Sequence, residues 1–516
     1  MNGQDLVLSF SSGNLRRTLH ETRGHRSLLA PVTFTGLLML FVWPDFRALS
    51  HEFDWQDHFG PSYQALPQLG VPPPRLHAAT SSNAVDRICY WNQVAIDASG
   101  LDHTPVAPGE NRVFGEQFGP CRASRAMAIV QLAVFDAVNA FADRYESYTR
   151  LHPAPSGACM GAAIARAAHD TLVALYPSQA ANFDRELDDD LERIIDPGGK
   201  PKGIQLGRQA AAAILALRAD DGSQHAEPRV GIDFFPTDAP GFWQPDPISQ
   251  SPLALGAFWN RVTPFVMTSA SQFRIQPPPA LDTSEFAAAY DEVKRLGGDG
   301  IITPTERTTN QTLAGIFWAY DGTPSLCAPT RLYNQIAVQI ARQKSTGDVE
   351  LARLLALVNV AMADAAIAVW ESKYHFQYWR PVTAIRAIED TNFTPLGAPA
   401  SNLIGPNFTP PFPACPSGHA GFGGALFQTL RRFYGTDEIP FTFVSDELNG
   451  VTRDNQGNVR PLRPRSFATL SEAEGENGQS RIYLGIHWSF DKTLGIEQGR
   501  RVADYVFTHA FEPLPR

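Results

Sequence analysis

The sequence predicts an all-α fold, two four-helix-bundle-like lobes with long irregular loops, with the chemistry gathered in the C-terminal bundle. Three observations predict it. Apolar residues recur at three- and four-residue steps over 122–142, 158–176, 203–219, 284–297, 304–320, 329–343, 348–386, 417–434 and 480–511. No comparable set of alternating strand patterns accompanies them. A stretch rich in proline and aromatic residues, 226–283, with Phe234, Phe235, Phe242 and Trp243, separates the first three helical patterns from the rest. The expected organisation is an irregular N-terminal extension (1–83), an N-terminal helical bundle (84–225), a connection (226–283) and a C-terminal bundle (284–516). A faint internal echo supports two related bundles: AIVQLAVFDAVNA (128–140) matches ALVNVAMADAAIA (356–368) at several positions, Asp136 with Asp364 among them.

Length and composition bound the function. A chain of 516 residues with 43% hydrophobic and 19% charged side chains can bury a deep site. A net charge of −10 argues against nucleic acid as a partner, because phosphate binding needs a basic face. Cys89, Cys121, Cys159, Cys327 and Cys415 are widely spaced and contain no CxxC pair, so they read as buried small residues rather than a disulfide framework or a zinc site. Cys415, four residues before His419, is the one to watch for oxidation. Residues 28–43, LLAPVTFTGLLMLFVW, form a long apolar run that is short for a spanning helix; a signal or anchor role is one reading of it and a loose extension the other. No membrane contact is expected elsewhere.

Three segments near the C-terminus carry chemistry. In Lys373-Tyr374-His375-Phe376-Gln377-Tyr378-Trp379-Arg380-Pro381 the two cations stand seven apart, two turns on one face of an ideal helix, amid aromatic residues that include Trp370. Cations in such a setting need an anionic partner if buried. In Phe412-Pro413-Ala414-Cys415-Pro416-Ser417-Gly418-His419 a proline-punctuated loop turns into a helix whose first N–H groups and positive dipole end suit an oxyanion; a plain N-cap at Ser417 is the structural alternative. In Ser480-Arg481-Ile482-Tyr483-Leu484-Gly485-Ile486-His487-Trp488-Ser489-Phe490-Asp491 the His487 and Asp491 pair lets a carboxylate hold one ring nitrogen and leave the other free. Arg481 reaches the same pocket only with a bend near Gly485 or by its long side chain. Together they offer three cations, a hydroxyl, a helix start and two histidines, which suits a tetrahedral oxyanion gripped by arginine forks.

The order Lys-x6-Arg-Pro, Pro-Ser-Gly-His, Ser-Arg-x5-His-x3-Asp resembles the pattern shared by vanadium-dependent haloperoxidases and the type-2 phosphatidic acid phosphatase and acid phosphatase superfamily. The segments 317–337, 412–427, 445–454 and 480–491 are similar to the chloroperoxidase branch. The resemblance implies a vanadate cofactor, with His487 Nε2 as the axial vanadium ligand and Lys373, Arg380, Ser417, Gly418 and Arg481 holding its oxygens. It implies His419 as the acid–base residue, Asp321 beside the arginine and histidine groups, and Trp370 and Phe412 on the halide side, where bromoperoxidases tend to carry histidine in place of Phe412. Hydrogen peroxide, a halide (chloride or bromide) and a small organic acceptor are the implied partners. His419 would take a proton from hydrogen peroxide, and Lys373 would polarise the peroxide for attack by halide, giving hypohalous acid. The alternative is a soluble acid phosphatase using His487 as nucleophile. A non-catalytic anion-binding scaffold is a third reading, which the pair His419 and His487 disfavours.

Overall fold

The computed structural model describes residues 55–66 and 83–515. The apolar run 28–43 and most of the 1–83 extension lie outside the described residues. Every described residue belongs to one compact unit, Leu49–Arg516.

The described residues form helices in the order α1 (Trp55–Phe59), α2 (Ala84–Asp102), α3 (Gly119–Ala142), α4 (Met160–Leu175), α5 (Ala180–Glu192), α6 (Lys200–Leu217), α7 (Ser284–Leu296), α8 (Thr309–Phe317), α9 (Thr330–Gln343), α10 (Asp348–Phe376), α11 (Pro381–Ile388), α12 (Gly418–Tyr434), α13 (Leu470–Tyr483) and α14 (Ser489–His509). The strands are short: β1 (Gln64–Ala65) pairs antiparallel with β2 (Leu403–Ile404), and β3 (Phe441–Phe443) with β4 (Arg465–Phe467). The all-α expectation holds. Within the stretch expected to be irregular, residues 55–66 supply α1 and β1, which join the body through the pairing Gln64↔Ile404.

Three helix expectations need correction. The pattern over 348–386 is two helices, because Gln377 takes a left-handed conformation (φ 50°, ψ 37°) that ends α10, and Arg380 is extended ahead of Pro381 at the start of α11. The pattern over 480–511 joins the end of α13 to α14 across a break at Gly485 (φ 72°), where a Cβ would come within 2.5 Å of the Gly297 carbonyl oxygen. The polar helix α5 and most of α13 escaped because their apolar stripes are thin.

Helix α10 is the axis of the molecule. Its residues from Leu351 to Lys373 are buried on every side, so its apolar periodicity is blurred. It packs on α3, α12 and α14, and one continuous core runs from α2 and α3 through α10 to α12 and α14. Both α3 and α10 are long and apolar enough to cross a membrane, yet both are enclosed by the other helices as core elements. The sequence echo has a physical counterpart: Asp136 on α3 accepts hydrogen bonds from Tyr148 N and Thr149 N, while Asp364 on α10 accepts from Phe265 N, Val266 N and Met267 N. Each buried carboxylate satisfies the backbone of a neighbouring loop.

Helices α12 and α14 approach closely because glycine lines their contact. A Cβ at Gly499 would meet the Gly421 carbonyl oxygen at 2.0 Å, so no larger residue fits there. This close packing sets the start of α14 beside the start of α12, and Ser417 N donates to the Asp491 carbonyl oxygen at 2.9 Å.

Candidate active site

The three sequence segments converge on the N-terminal ends of α12 and α14. Ser417 is the N-cap of α12, with Oγ accepting from Ala420 N at 3.4 Å. Behind it runs Pro410-Pro411-Phe412-Pro413-Ala414, where prolines leave few N–H groups and the carbonyl oxygens need other donors. Two buried cations serve them. Lys373 Nζ donates to Pro413 O (2.7 Å) and Ala414 O (2.9 Å), and Arg380 Nε donates to Phe412 O (2.9 Å). Lys373 and Arg380 therefore meet through a helix break and a shared loop, not by lying on one face of a continuous helix as their spacing suggested.

His487 lies just ahead of α14. Its Nδ1 is 2.8 Å from Asp491 Oδ2, so the ring donates there, and the lone pair on Nε2 accepts from Arg380 Nη1 at 3.0 Å. Asp491 also accepts from Trp488 N at 3.0 Å, which pins the carboxylate in the first turn of α14. His419, on the first turn of α12, donates from Nε2 to the Ala319 carbonyl oxygen, leaving its lone pair on Nδ1. Its own carbonyl is held by Tyr333 Oη (3.0 Å) and Asn477 Nδ2 (2.9 Å). Arg481, carried in by the bend at Gly485, donates from Nη2 to Asp321 Oδ1 at 2.6 Å; Asp321 also lies 3.9 Å from His419 Nε2. Trp370 and Phe412 form an edge-on pair with ring centroids 5.0 Å apart, and Lys373 Nζ stands 5.0 Å from the Phe412 centroid. A cavity opens onto Trp370, Phe412, Gly418, His419, Arg481 and His487.

Burial governs the electrostatics. It holds the Lys373 ammonium well below its ordinary range, with repulsion from Arg380 second, and brings Arg380 down to about 9. It lowers His487 well below 6.5, followed by repulsion from Arg380 and Lys373; for His419 burial again leads and Arg481 follows. Burial also raises Asp321, against the pull of Arg481, and lifts Asp491 to about 6. Three cations thus face two carboxylates. Moreover, Nε and Nη1 of Arg481 are buried with no hydrogen-bond partner. Cys415 is fully buried, its thiol pushed well above its usual range by desolvation.

Residues 353–514 match the family model described as the VCPO second helical-bundle domain. A vanadium chloroperoxidase of Curvularia inaequalis is 31% identical over 503 residues, covering 82% of this chain and 81% of that protein. The chain belongs to the vanadium-dependent haloperoxidases. A solved bacterial vanadium-dependent iodoperoxidase superposes with a TM-score of 0.67 at 25% identity, covering 83% of this chain and 97% of that one. The holo form of a bacterial vanadium-dependent chloroperoxidase shares the fold, with a TM-score of 0.60 at 18% identity over 81% of this chain and 97% of its own.

The site of this haloperoxidase suits vanadate on its own chemistry. The unpartnered Arg481 N–H groups, the excess of buried cations and the N-terminal N–H groups of α12 all call for a multiply charged oxyanion. His487 Nε2, its other nitrogen locked by Asp491, is the atom able to bond the metal. Several supporting groups had no sequence signal. Glu227 Oε2 accepts from Gly256 N at 2.7 Å, and Trp370 Nε1 donates to Leu255 O at 3.1 Å, so a loop of the 226–283 connection fixes the tryptophan wall. Tyr333, Asn477 and the Ala319 carbonyl orient His419 from distant parts of the chain.

A pH effect on stability follows. Burial depresses His58, His103, His419 and His487, so the fold keeps them neutral while the unfolded chain protonates near 6.5. Their contribution is present above 6.5 and lost as pH falls, by up to about 1.4 kcal/mol per pH unit for each fully titrating histidine. The raised carboxylates Asp321 and Asp491 act oppositely, at the lower pH where carboxylates titrate. Urea unfolding of the vanadate-free chain should show a lower midpoint at pH 6 than at pH 7.5. A midpoint unchanged across this range would contradict the assignment of these histidines as neutral.

Proposed function

We propose that this chain oxidises chloride and bromide with hydrogen peroxide to hypohalous acid, which halogenates small organic acceptors. Haloperoxidase chemistry with vanadate comes with the family. The observation supporting these site roles is that His487, Gly418 and Arg481, with its buried, unpartnered nitrogens, line one cavity, while Arg380 bonds His487 Nε2, Lys373 holds the Pro413 and Ala414 carbonyls and Ser417 caps α12 next to Gly418. Bound there, vanadate supplies a Lewis acid that activates hydrogen peroxide without changing oxidation state. Lys373, Arg380, Arg481, Ser417 Oγ and the Gly418 amide would hold its oxygens, and His487 would hold the vanadium. The lone pair on His419 Nδ1 would accept a proton from hydrogen peroxide, a task that suits a histidine kept neutral by burial and by Arg481. Asp321 fixes the Arg481 guanidinium, and Asp491 fixes the His487 ring.

Chloride competence rests on the aromatic pair Trp370 and Phe412, which gives the cationic side of the cavity an apolar wall. Monochlorodimedone halogenation with chloride or bromide, with and without orthovanadate, tests the reading beside p-nitrophenyl phosphate hydrolysis. Hydrolysis without halogenation by the vanadate-loaded enzyme would restore the phosphatase alternative, which the family placement does not favour. Phe412→His should lower the ratio of chloride to bromide oxidation by roughly tenfold, the scale of one changed contact in a pocket. An unchanged ratio would remove Phe412 from halide selection.

A further inference from the structure

A third histidine, His58, borders the same cavity, and none of the motifs described above includes it. It is 4% exposed, and its Nδ1 is buried without a hydrogen-bond partner. The segment that carries it is seated with care. A Cβ at Gly60 (φ 98°) would lie 2.1 Å from the Ser249 carbonyl oxygen, Phe59 and Tyr63 pack against Phe408, and Gln64 and Ala65 pair with β2. The His58 ring itself packs edge-on against Phe118 at 3.9 Å between centroids. A Cβ at Gly322, the residue after Asp321, would lie 4.0 Å from His58 Nε2, which places the ring next to the segment that carries Asp321.

Burial first, and the nearby His103 second, keep the His58 ring neutral. His103 itself is spoken for: its Nδ1 donates to Ser99 O at 2.7 Å and its Nε2 accepts from Gly119 N at 3.0 Å. A neutral imidazole offers one N–H and one lone pair. A halide or other anion entering this cavity is drawn to Lys373, Arg380 and Arg481 rather than to an uncharged ring. On the side of the cavity that carries His58 the lining includes the apolar residues Phe118, Leu255 and Phe408, and an apolar wall with one uncharged imidazole suits a small neutral organic molecule.

We propose that His58 anchors an acceptor subsite, hydrogen-bonding the hydroxyl of a phenol- or enol-type molecule whose apolar body lies against Phe118, Leu255 and Phe408. Such molecules are electron-rich at carbon, as acceptors of hypohalous acid must be. The proposal deepens the haloperoxidase reading and rests on it for its meaning, while the binding itself is independent of turnover.

The test uses the full chain without vanadate or hydrogen peroxide, titrated with phenol and, separately, with toluene, which has the same shape without the hydroxyl. Phenol should bind the parent at least about tenfold more tightly than toluene, the worth of one good hydrogen bond. In His58→Phe that preference should vanish while toluene binding persists, and in His58→Asn, which keeps a donor and an acceptor, part of it should return. Circular dichroism of each variant reports the fold. Phenol binding no tighter than toluene binding, or an unchanged preference in His58→Phe, overturns the proposal. So does iodide binding that His58→Phe abolishes while phenol binding stays. A parent that binds phenol through His58 yet fails to halogenate after vanadate loading would keep the subsite and sink the haloperoxidase reading instead.

Discussion

His487→Ala should cost at least about a hundredfold in vanadate affinity, and halogenation at sub-saturating vanadate should fall with it. The magnitude follows from the proposed position: changes to residues that merely support a metal ligand already cost ten- to a hundredfold, and here the proposed ligand itself is removed. The neighbours can tolerate the change. Asp491 Oδ2 keeps the Trp488 N–H at 3.0 Å, and Arg380 Nη1 keeps the Ile486 carbonyl at 2.7 Å, so neither is stranded when the ring is gone. The fold should therefore survive, and the loss can be read as lost affinity. Equilibrium dialysis against orthovanadate measures it directly. Asp491→Asn provides the graded comparison: its amide can still accept from Trp488 N, but it no longer offers a charged acceptor to His487 Nδ1, and a loss of about tenfold is expected. If His487→Ala holds vanadate as tightly as the parent, the proposed assignment of His487 as the vanadium-holding residue is wrong.

How much of this was legible in the sequence depended on whether a feature is local. The Ser417 cap and the His487 and Asp491 hydrogen bond are short-range and readable from spacing alone, while spacing left the bend at Gly485 as one of two ways for Arg481 to reach the pocket. The relation of Lys373 to Arg380 was read for the wrong reason. Seven residues looked like two turns of one helix, but the left-handed Gln377 and the restriction imposed by Pro381 break it, and the two side chains meet instead on the carbonyls of 412–414. What the sequence could not show is the set of groups brought from far away. The Ala319 carbonyl that orients His419 lies 100 residues from it, and the Glu227 carboxylate behind Gly256 and His58 at the cavity wall lie outside the three motif segments. Carbonyl acceptors leave no mark in a sequence, and a single histidine in an irregular stretch has no period to betray it. The helix glycines of 421–424 were visible, but their purpose, a close contact with α14 that aligns two helix starts, required the packing itself.

Lys373→Met should lower the halogenation rate at saturating vanadate by about a hundredfold or more, while vanadate affinity falls much less. Arg380, Arg481, the Gly418 amide and His487 remain to hold the anion. Lys373 is distinguished by where its charge sits, 5.0 Å from the Phe412 ring and 5.7 Å from the Trp370 ring, at the boundary between the anion cradle and the proposed halide wall. As halide attacks one oxygen of hydrogen peroxide, negative charge collects on the other, and a preorganised cation in a buried site is worth about 3–4 kcal/mol at that moment. Methionine keeps the volume of the stem against the aromatic pair, so the wall itself should stand. The substitution does strand the Pro413 and Ala414 carbonyls, at a cost of about 1–3 kcal/mol each, which should appear as a lower unfolding midpoint. A stability loss alone cannot imitate the expected kinetic pattern, because folded, vanadate-saturated enzyme would then turn over at the parental rate. Equal losses in rate and vanadate affinity would instead reduce Lys373 to one more member of the anion cradle, leaving the polarisation of hydrogen peroxide to Arg380 and Arg481.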